Sequence, residues 1–164
     1  MSYQRFAELT EQGESGVKTE EFESLFAPDA DLYSPFLVKH VEGKSLTLQF
    51  MTEAFSNVGY PKYTHQFYNG TDTAVLLWES QGRVRGHQVQ GTMVLTFDEN
   101  GLIRAAKSYL RPLQVVNMLR EYLFASAGAK LSSDYWKASP VGFAGDPSLL
   151  THPTSQGNTV KSES

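Results

Sequence analysis

The sequence predicts an α+β domain in which one curved antiparallel sheet wraps around helices to form a cone. Three observations predict it. Helical periodicity comes first in the chain, a run of alternating strand patterns broken by Gly-containing turns fills residues 63–112, and a helical pattern follows Pro112. A long helix laid across a single bent sheet leaves a concave, partly apolar interior, which is a usual place for a small ligand.

The helices are justified in chain order. Tyr3, Phe6 and Leu9 make the apolar stripe of a first helix. Thr19 can cap a second, with Glu20 and Glu21 in its first turn, Phe22, Leu25 and Phe26 on one face, and Pro28 beyond its end. A short extended segment at residues 31–34 precedes a third helix at 45–58, which buries Leu46, Phe50, Ala54 and Phe55. Pro112 is placed as the N1 proline of a last helix with Val115, Val116, Leu119 and Leu123 on its apolar face.

Between the third and last helices the strands form a meander with three turns. Asn69-Gly70 and Asn100-Gly101 are strong hairpin signals, because both residue types tolerate the positive φ of tight turns; Gln81-Gly82 gives a weaker one. A two-residue turn at Asn100-Gly101 sets Met93 opposite Ser108, Leu95 opposite Ala106, Gly91 opposite Leu110 and Thr92 opposite Tyr109. The turn at Gln81-Gly82 sets Trp78 opposite Arg85 and Leu76 opposite His87. Alternation then places His87, Val89, Gly91, Met93 and Leu95 on one inward face, with Tyr63, His65 and Phe67 joining them if the first loop has an even number of residues. Gly91 is the position at which a bulky side chain is expected to fill the interior with the fold intact.

Composition narrows the function classes. A chain of 164 residues with 40% apolar and 20% charged residues suits one globular domain with a real core. We assign it to residues 1–137 and read 138–164, rich in Ser, Thr, Gly and Pro, as a flexible C-terminal tail. A net charge of −4 gives no reason to expect nucleic acid or an anionic membrane. The lack of cysteine excludes disulfides and thiol chemistry, and the absence of a signal pattern or a bilayer-length apolar run leads to a cytoplasmic expectation. Asn69-Gly70-Thr71 fits a glycosylation sequon but is read as a hairpin turn.

Residues 26–35, Phe-Ala-Pro-Asp-Ala-Asp-Leu-Tyr-Ser-Pro, then Glu42-Gly-Lys-Ser45 opening a helix, then a meander ending in residues 98–103, resemble the nuclear transport factor 2-like superfamily. The SnoaL-like branch is the most similar, over roughly residues 3–124. The resemblance implies the NTF2-like or cystatin-like cone and a homodimer. It does not fix an activity, since the superfamily spans isomerases, cyclases, epoxide hydrolases, dehydratases and non-catalytic proteins. Where ketosteroid isomerase-like members carry an aspartate base, this chain has Ser34 before Pro35, and their protonated acid aligns with Met93. The late-strand aspartate of limonene epoxide hydrolase-like and SnoaL-type members aligns with Ser108. The carboxylate machinery of the relatives is therefore missing.

The remaining candidates are set by the inward face. His87 and then His65 are the candidate acid/base residues, since imidazole titrates near neutral pH. Ser34, Phe50, Trp78, Leu76, Val89, Met93, Leu95 and Ser108 are the candidate ligand-binding residues, and Trp78 with Arg85 a cation–π pair at the rim. No nucleotide-binding glycine motif or metal-ligand spacing is present, so no cofactor or metal is expected. Tyr109, Thr92 and Arg111 mark the outward face expected to pair two copies. Two functions follow from this reading. One is a cofactor-free isomerase, cyclase or hydratase/hydrolase acting on a small, largely apolar molecule. The other is a non-catalytic binding or dimerisation module on the same fold.

Overall fold

The computed structural model describes residues 1–136; the expected tail at 138–164 lies outside the described residues. Helices α1 (Ser2–Glu11), α2 (Glu14–Val17) and α3 (Glu20–Ser24) lead into strand β1 (Phe26–Tyr33). The long helix α4 (Lys44–Val58) follows, then the meander β2 (Pro61–Tyr68), β3 (Thr73–Ser80), β4 (Gln90–Phe97) and β5 (Ile103–Arg111). Helix α5 (Leu113–Ala127), a 3₁₀ turn (Gly128–Lys130) and the short α6 (Ser133–Trp136) close the fold. The expected α+β cone is the architecture observed.

The five strands form one sheet in the order β1-β5-β4-β3-β2. The meander is antiparallel, and β1 adds to its edge as a parallel strand beside β5. The short extended segment expected at 31–34 is thus the end of an eight-residue strand. Phe26, expected on the second helix, begins that strand, because α3 stops at Ser24. Thr19 caps α3 as expected, its hydroxyl accepting the Phe22 amide at 3.1 Å. Pro112 is the N-cap of α5 rather than its first helical residue.

The core lies between the concave face of the sheet and the helices. Phe50, Met51, Phe55 and Val58 of α4 meet Leu76, Trp78, Met93, Leu95 and Ala106 of the sheet. Leu119 and Leu123 of α5 and Phe6 of α1 close its ends, each fully buried.

The β4–β5 register is the expected one from Gln90–Arg111 to Thr96–Ala105. It shifts only next to the turn, where Phe97 pairs with Ile103, not Arg104. The turn is one residue longer than two: the Asp98 amide donates to the Leu102 carbonyl, and Gly101 takes φ 76°.

The β3–β4 hairpin departs more. Trp78 pairs with Gly91 and Leu76 with Met93, so the register lies six residues beyond the one expected from a turn at Gln81-Gly82. A second tight turn takes up those residues. Arg85 and Gly86 both have positive φ, and Val84 and His87 close around them through two backbone hydrogen bonds of 2.8 and 2.9 Å. His87 therefore sits exposed on a small β-bridged loop, not on the inward face. The slip is an even number, so Met93 and Leu95 keep their inward placement. Arg85 leaves Trp78 and stacks its guanidinium 3.4 Å from the centroid of the Tyr122 ring.

The odd length of the β2–β3 connection turns the second histidine outward: Tyr68 pairs with Ala74, which leaves five residues between them. A bulge beyond His65 then restores the expected parity for Tyr63 alone, which pairs with Trp78 while His65 pairs with Leu77. Tyr63 stays inward, while His65 and Phe67 are exposed on the convex face with their rings stacked at 6.1 Å.

Candidate functional site

Three elements enclose the cone interior. Trp78, Met93, Ser108 and Leu110 project from the sheet, Phe50, Met51, Ala54, Phe55 and Val58 from α4, and Ser34, Pro35 and Phe36 from the segment between β1 and α4. The free volume among them is about 40 Å³, far below the several hundred Å³ usual for a whole small-molecule ligand. No Asp, Glu, His, Lys, Arg or Tyr side chain lines it. Its polar groups are two hydroxyls, and the Ser34 oxygen already accepts the Phe36 amide at 3.2 Å.

Of the residues expected to bind a ligand, Ser34, Phe50, Trp78, Met93 and Ser108 come together here. Leu76, Val89 and Leu95 do not line the cavity: each is fully buried in the packed core. His65 and His87 are exposed and lie outside it. Gly91 faces no open space. A Cβ there would lie 2.6 Å from the Trp78 indole and 2.8 Å from Leu110, so the glycine is the seat of the tryptophan ring. A leucine would displace Trp78 instead of filling a void.

A wider mouth of about 540 Å³ adjoins the interior and shares Ser34, Pro35, Ser108 and Leu110 with it. The local sequence builds it. After β1 the chain turns at Ser34 and returns so that Val41 pairs with Leu32 through two 2.9 Å backbone hydrogen bonds. That return stacks His40 on Tyr33, ring centroids 4.8 Å apart. His40 Nε2 lies 3.1 Å from a Glu42 carboxylate oxygen. Lys107, next to Tyr33 in the β1–β5 register, holds its ammonium 5.0 Å from the same ring. Lys39 pairs with Asp134 at 3.4 Å. Because β1 ends opposite Lys107, β5 runs on past it from Ser108, and the mouth opens around that uncovered edge.

His40, Lys107 and Tyr33 were missed as site residues. The available signal was topological: a segment joining an edge strand to the helix inside the cone must cross the cone's opening.

The back of the site is clamped by α5 and α6. Arg120 is buried and donates to the Phe36 carbonyl at 3.0 Å and to the Trp136 carbonyl. Burial pushes its guanidinium below the ordinary arginine value. It thereby ties the segment that supplies Phe36 to the buried Trp136, which packs on Phe50 and Phe124 at 6.0 and 5.1 Å.

Fold and cavity together define a cone-shaped α+β protein with an apolar interior and a mouth bordered by charged side chains. The chain belongs to the SnoaL-like domain family, whose model matches residues 3–106. No curated protein matches the sequence. Among solved structures it is similar to a steroid delta-isomerase from Pseudomonas aeruginosa, with a TM-score of 0.62, 20% identity, and coverage of 76% of this chain and 93% of that one. An uncharacterised protein with a cystatin-like fold from Silicibacter pomeroyi DSS-3 gives 0.66 at 20% identity, covering 77% and 85%. A putative SnoaL-like polyketide cyclase from Shewanella denitrificans OS-217 gives 0.52 at 14%, covering 73% and 95%. At these identities the likeness concerns the fold. Among the described residues no helix is long and apolar enough to cross a membrane, and no cluster of three metal-ligating side chains occurs.

Proposed function

We propose that this chain binds a small, largely apolar molecule in its cone without transforming it. One observation carries the proposal: the interior that the family's fold offers to a ligand is lined by apolar side chains and two serine hydroxyls, with no titratable group to move a proton. An unassisted serine is neither base nor acid near neutral pH. Native mass spectrometry of the protein purified from its own cells should detect a bound organic molecule. Ala54→Val, which takes up the interior's small free volume from α4, should weaken that binding with little change in the thermal midpoint. Turnover of any substrate that depends on Ser34 or Ser108 would sink the proposal.

A second, catalytic reading has one observation in its favour. His40 borders the mouth with a carboxylate against one ring nitrogen and a tyrosine against its face, an arrangement able to orient a general base. Should an isomerase, cyclase or hydrolase activity be found, His40→Gln would lower kcat by about 10²-fold. An unchanged kcat would remove His40 from the chemistry.

Assembly through the convex sheet face belongs to the same proposal. Tyr109 and Phe67 stand 58% and 57% exposed there, with Thr92 and Arg111 beside Tyr109 on that face, and such aromatics are common interface anchors. Light scattering should show a homodimer that Tyr109→Ala weakens. A monomer at micromolar concentration would argue against it.

A further inference from the structure

We infer that the site takes an amphipathic monocarboxylate, its apolar end passing between Ser34 and Ser108 into the cone and its carboxylate held at the mouth by Lys107. This rests on the binding function proposed above and names the class of ligand. The division of space is the first argument. The apolar interior, about 40 Å³, admits only the tip of a ligand, whereas the mouth, about 540 Å³, can hold the rest, and the two serines border both. A ligand that spans them is apolar at one end and meets charge at the other.

The sign of that charge is the second argument. Neither carboxylate near the mouth contacts Lys107: Asp134 pairs with Lys39, and a Glu42 oxygen lies 3.1 Å from His40 Nε2. Among the described residues Lys107 has no carboxylate partner; its ammonium lies over the Tyr33 ring, and a cation so placed keeps N–H donors free on its far side. Helix α5 adds to the positive field. Its first turn lines the mouth through Leu113 and Val116, and it begins at Pro112 without a capping side chain. The amides of Val115 and Val116 turn back to the Pro112 carbonyl, so the donors left at the helix start are the two before them. A carboxylate fits a single lysine and a helix start. A phosphate monoester would call for more charge than the mouth supplies, and it holds no arginine.

The test compares octanoate with 1-octanol, which share a tail and differ in the head, on wild type, Lys107→Gln and Lys107→Arg. Labelled methyl groups of Met51 and Met93, both in the interior lining, report entry of the tail. Both probes should shift these methyls in wild type. Octanoate should bind about tenfold tighter than octanol, a preference lost in Lys107→Gln, kept in Lys107→Arg and weakened by salt. Lys107 is exposed, so its variants should fold, and the salt dependence of wild type is a second readout that needs no variant. Equal affinity for the two probes, or a preference that survives in Lys107→Gln, would overturn the carboxylate assignment while the cone remained a binding site. If neither probe moved the methyls, the binding proposal would fail and the assignment with it.

Discussion

The cone interior and its mouth share four residues and little else. Inside, every side chain but two is apolar, and the free volume is close to that of a single water-sized group or two. At the mouth, from the segment after β1 and from the end of β5, stand two lysines, a histidine and two tyrosines. The same sheet supplies both environments through alternation along β5: Ser108 and Leu110 point inward, Lys107 and Tyr109 outward. Where β1 stops, the two faces of β5 become reachable from one opening. The contrast shows how one sheet can face an interior filled with aromatic and sulfur side chains and, past the end of β1, a rim that carries charge.

The largest effect that would break this division comes from Trp78. Its indole fills the space above Gly91 and lines the interior. Trp78→Ala should cost about 3–5 kcal/mol and open the interior, measured by urea unfolding and by uptake of an apolar probe. A loss within experimental error would mean that the ring does not hold the interior closed. Next in size is Gly91→Leu, which should cost about 1–3 kcal/mol by overpacking and alter tryptophan fluorescence, since the ring must move. Unchanged stability and emission would show that the space over Gly91 is freer than the 2.6 Å approach implies.

The sequence exposed the sheet better than the site, and the reason is physical. Alternation fixes faces, and a face survives any even slip: Met93 and Leu95 stayed inward although their hairpin register moved by six residues. The β4–β5 pairs were legible because Asn100-Gly101 is followed at once by strand. The β3–β4 pairs were not, because residues 81–89 contain two glycine turns, and only the second, at Arg85-Gly86, closes against a backbone bridge. His87 was lost with that choice. His65 was lost to the odd length of the first connection, which Asn69-Gly70 does not fix by itself, and a bulge returned only Tyr63 to the inward face. Ser34, Phe50 and Ser108 were legible because strand parity, helical period and the family resemblance agreed about them. The mouth was invisible because it depends on where β1 ends, and tertiary pairing decides that.

Lys107→Gln sharpens the comparison from the other side. An exposed lysine over a ring contributes little to folding, so stability should change by no more than about 0.5 kcal/mol, while binding of an anionic probe falls. A variant that loses several kcal/mol would make Lys107 part of the scaffold, and the mouth would no longer be separable from the core in function.

The smallest expected effect concerns a half-buried titratable group on the inward face but away from the cavity, a reference for a cavity lining that has none. Tyr63 hydrogen-bonds to Thr10 at 2.9 Å, and Thr10 in turn donates to the Phe6 carbonyl at 2.8 Å, so the phenol is the donor between them. Burial, more than any neighbouring charge, raises the Tyr63 pKa well above its ordinary value of 10.0. The sign follows from linkage. The folded state holds this proton more tightly than the unfolded chain does, so the stabilisation is complete below pH ~10 and declines as pH rises beyond it. Tyr63→Phe should cost about 1 kcal/mol at neutral pH through the lost hydrogen bond. It should also flatten the part of the alkaline stability loss that begins near that pH, as measured by urea midpoints in wild type and variant. Parallel curves for the two proteins would show that Tyr63 does not govern the alkaline limb.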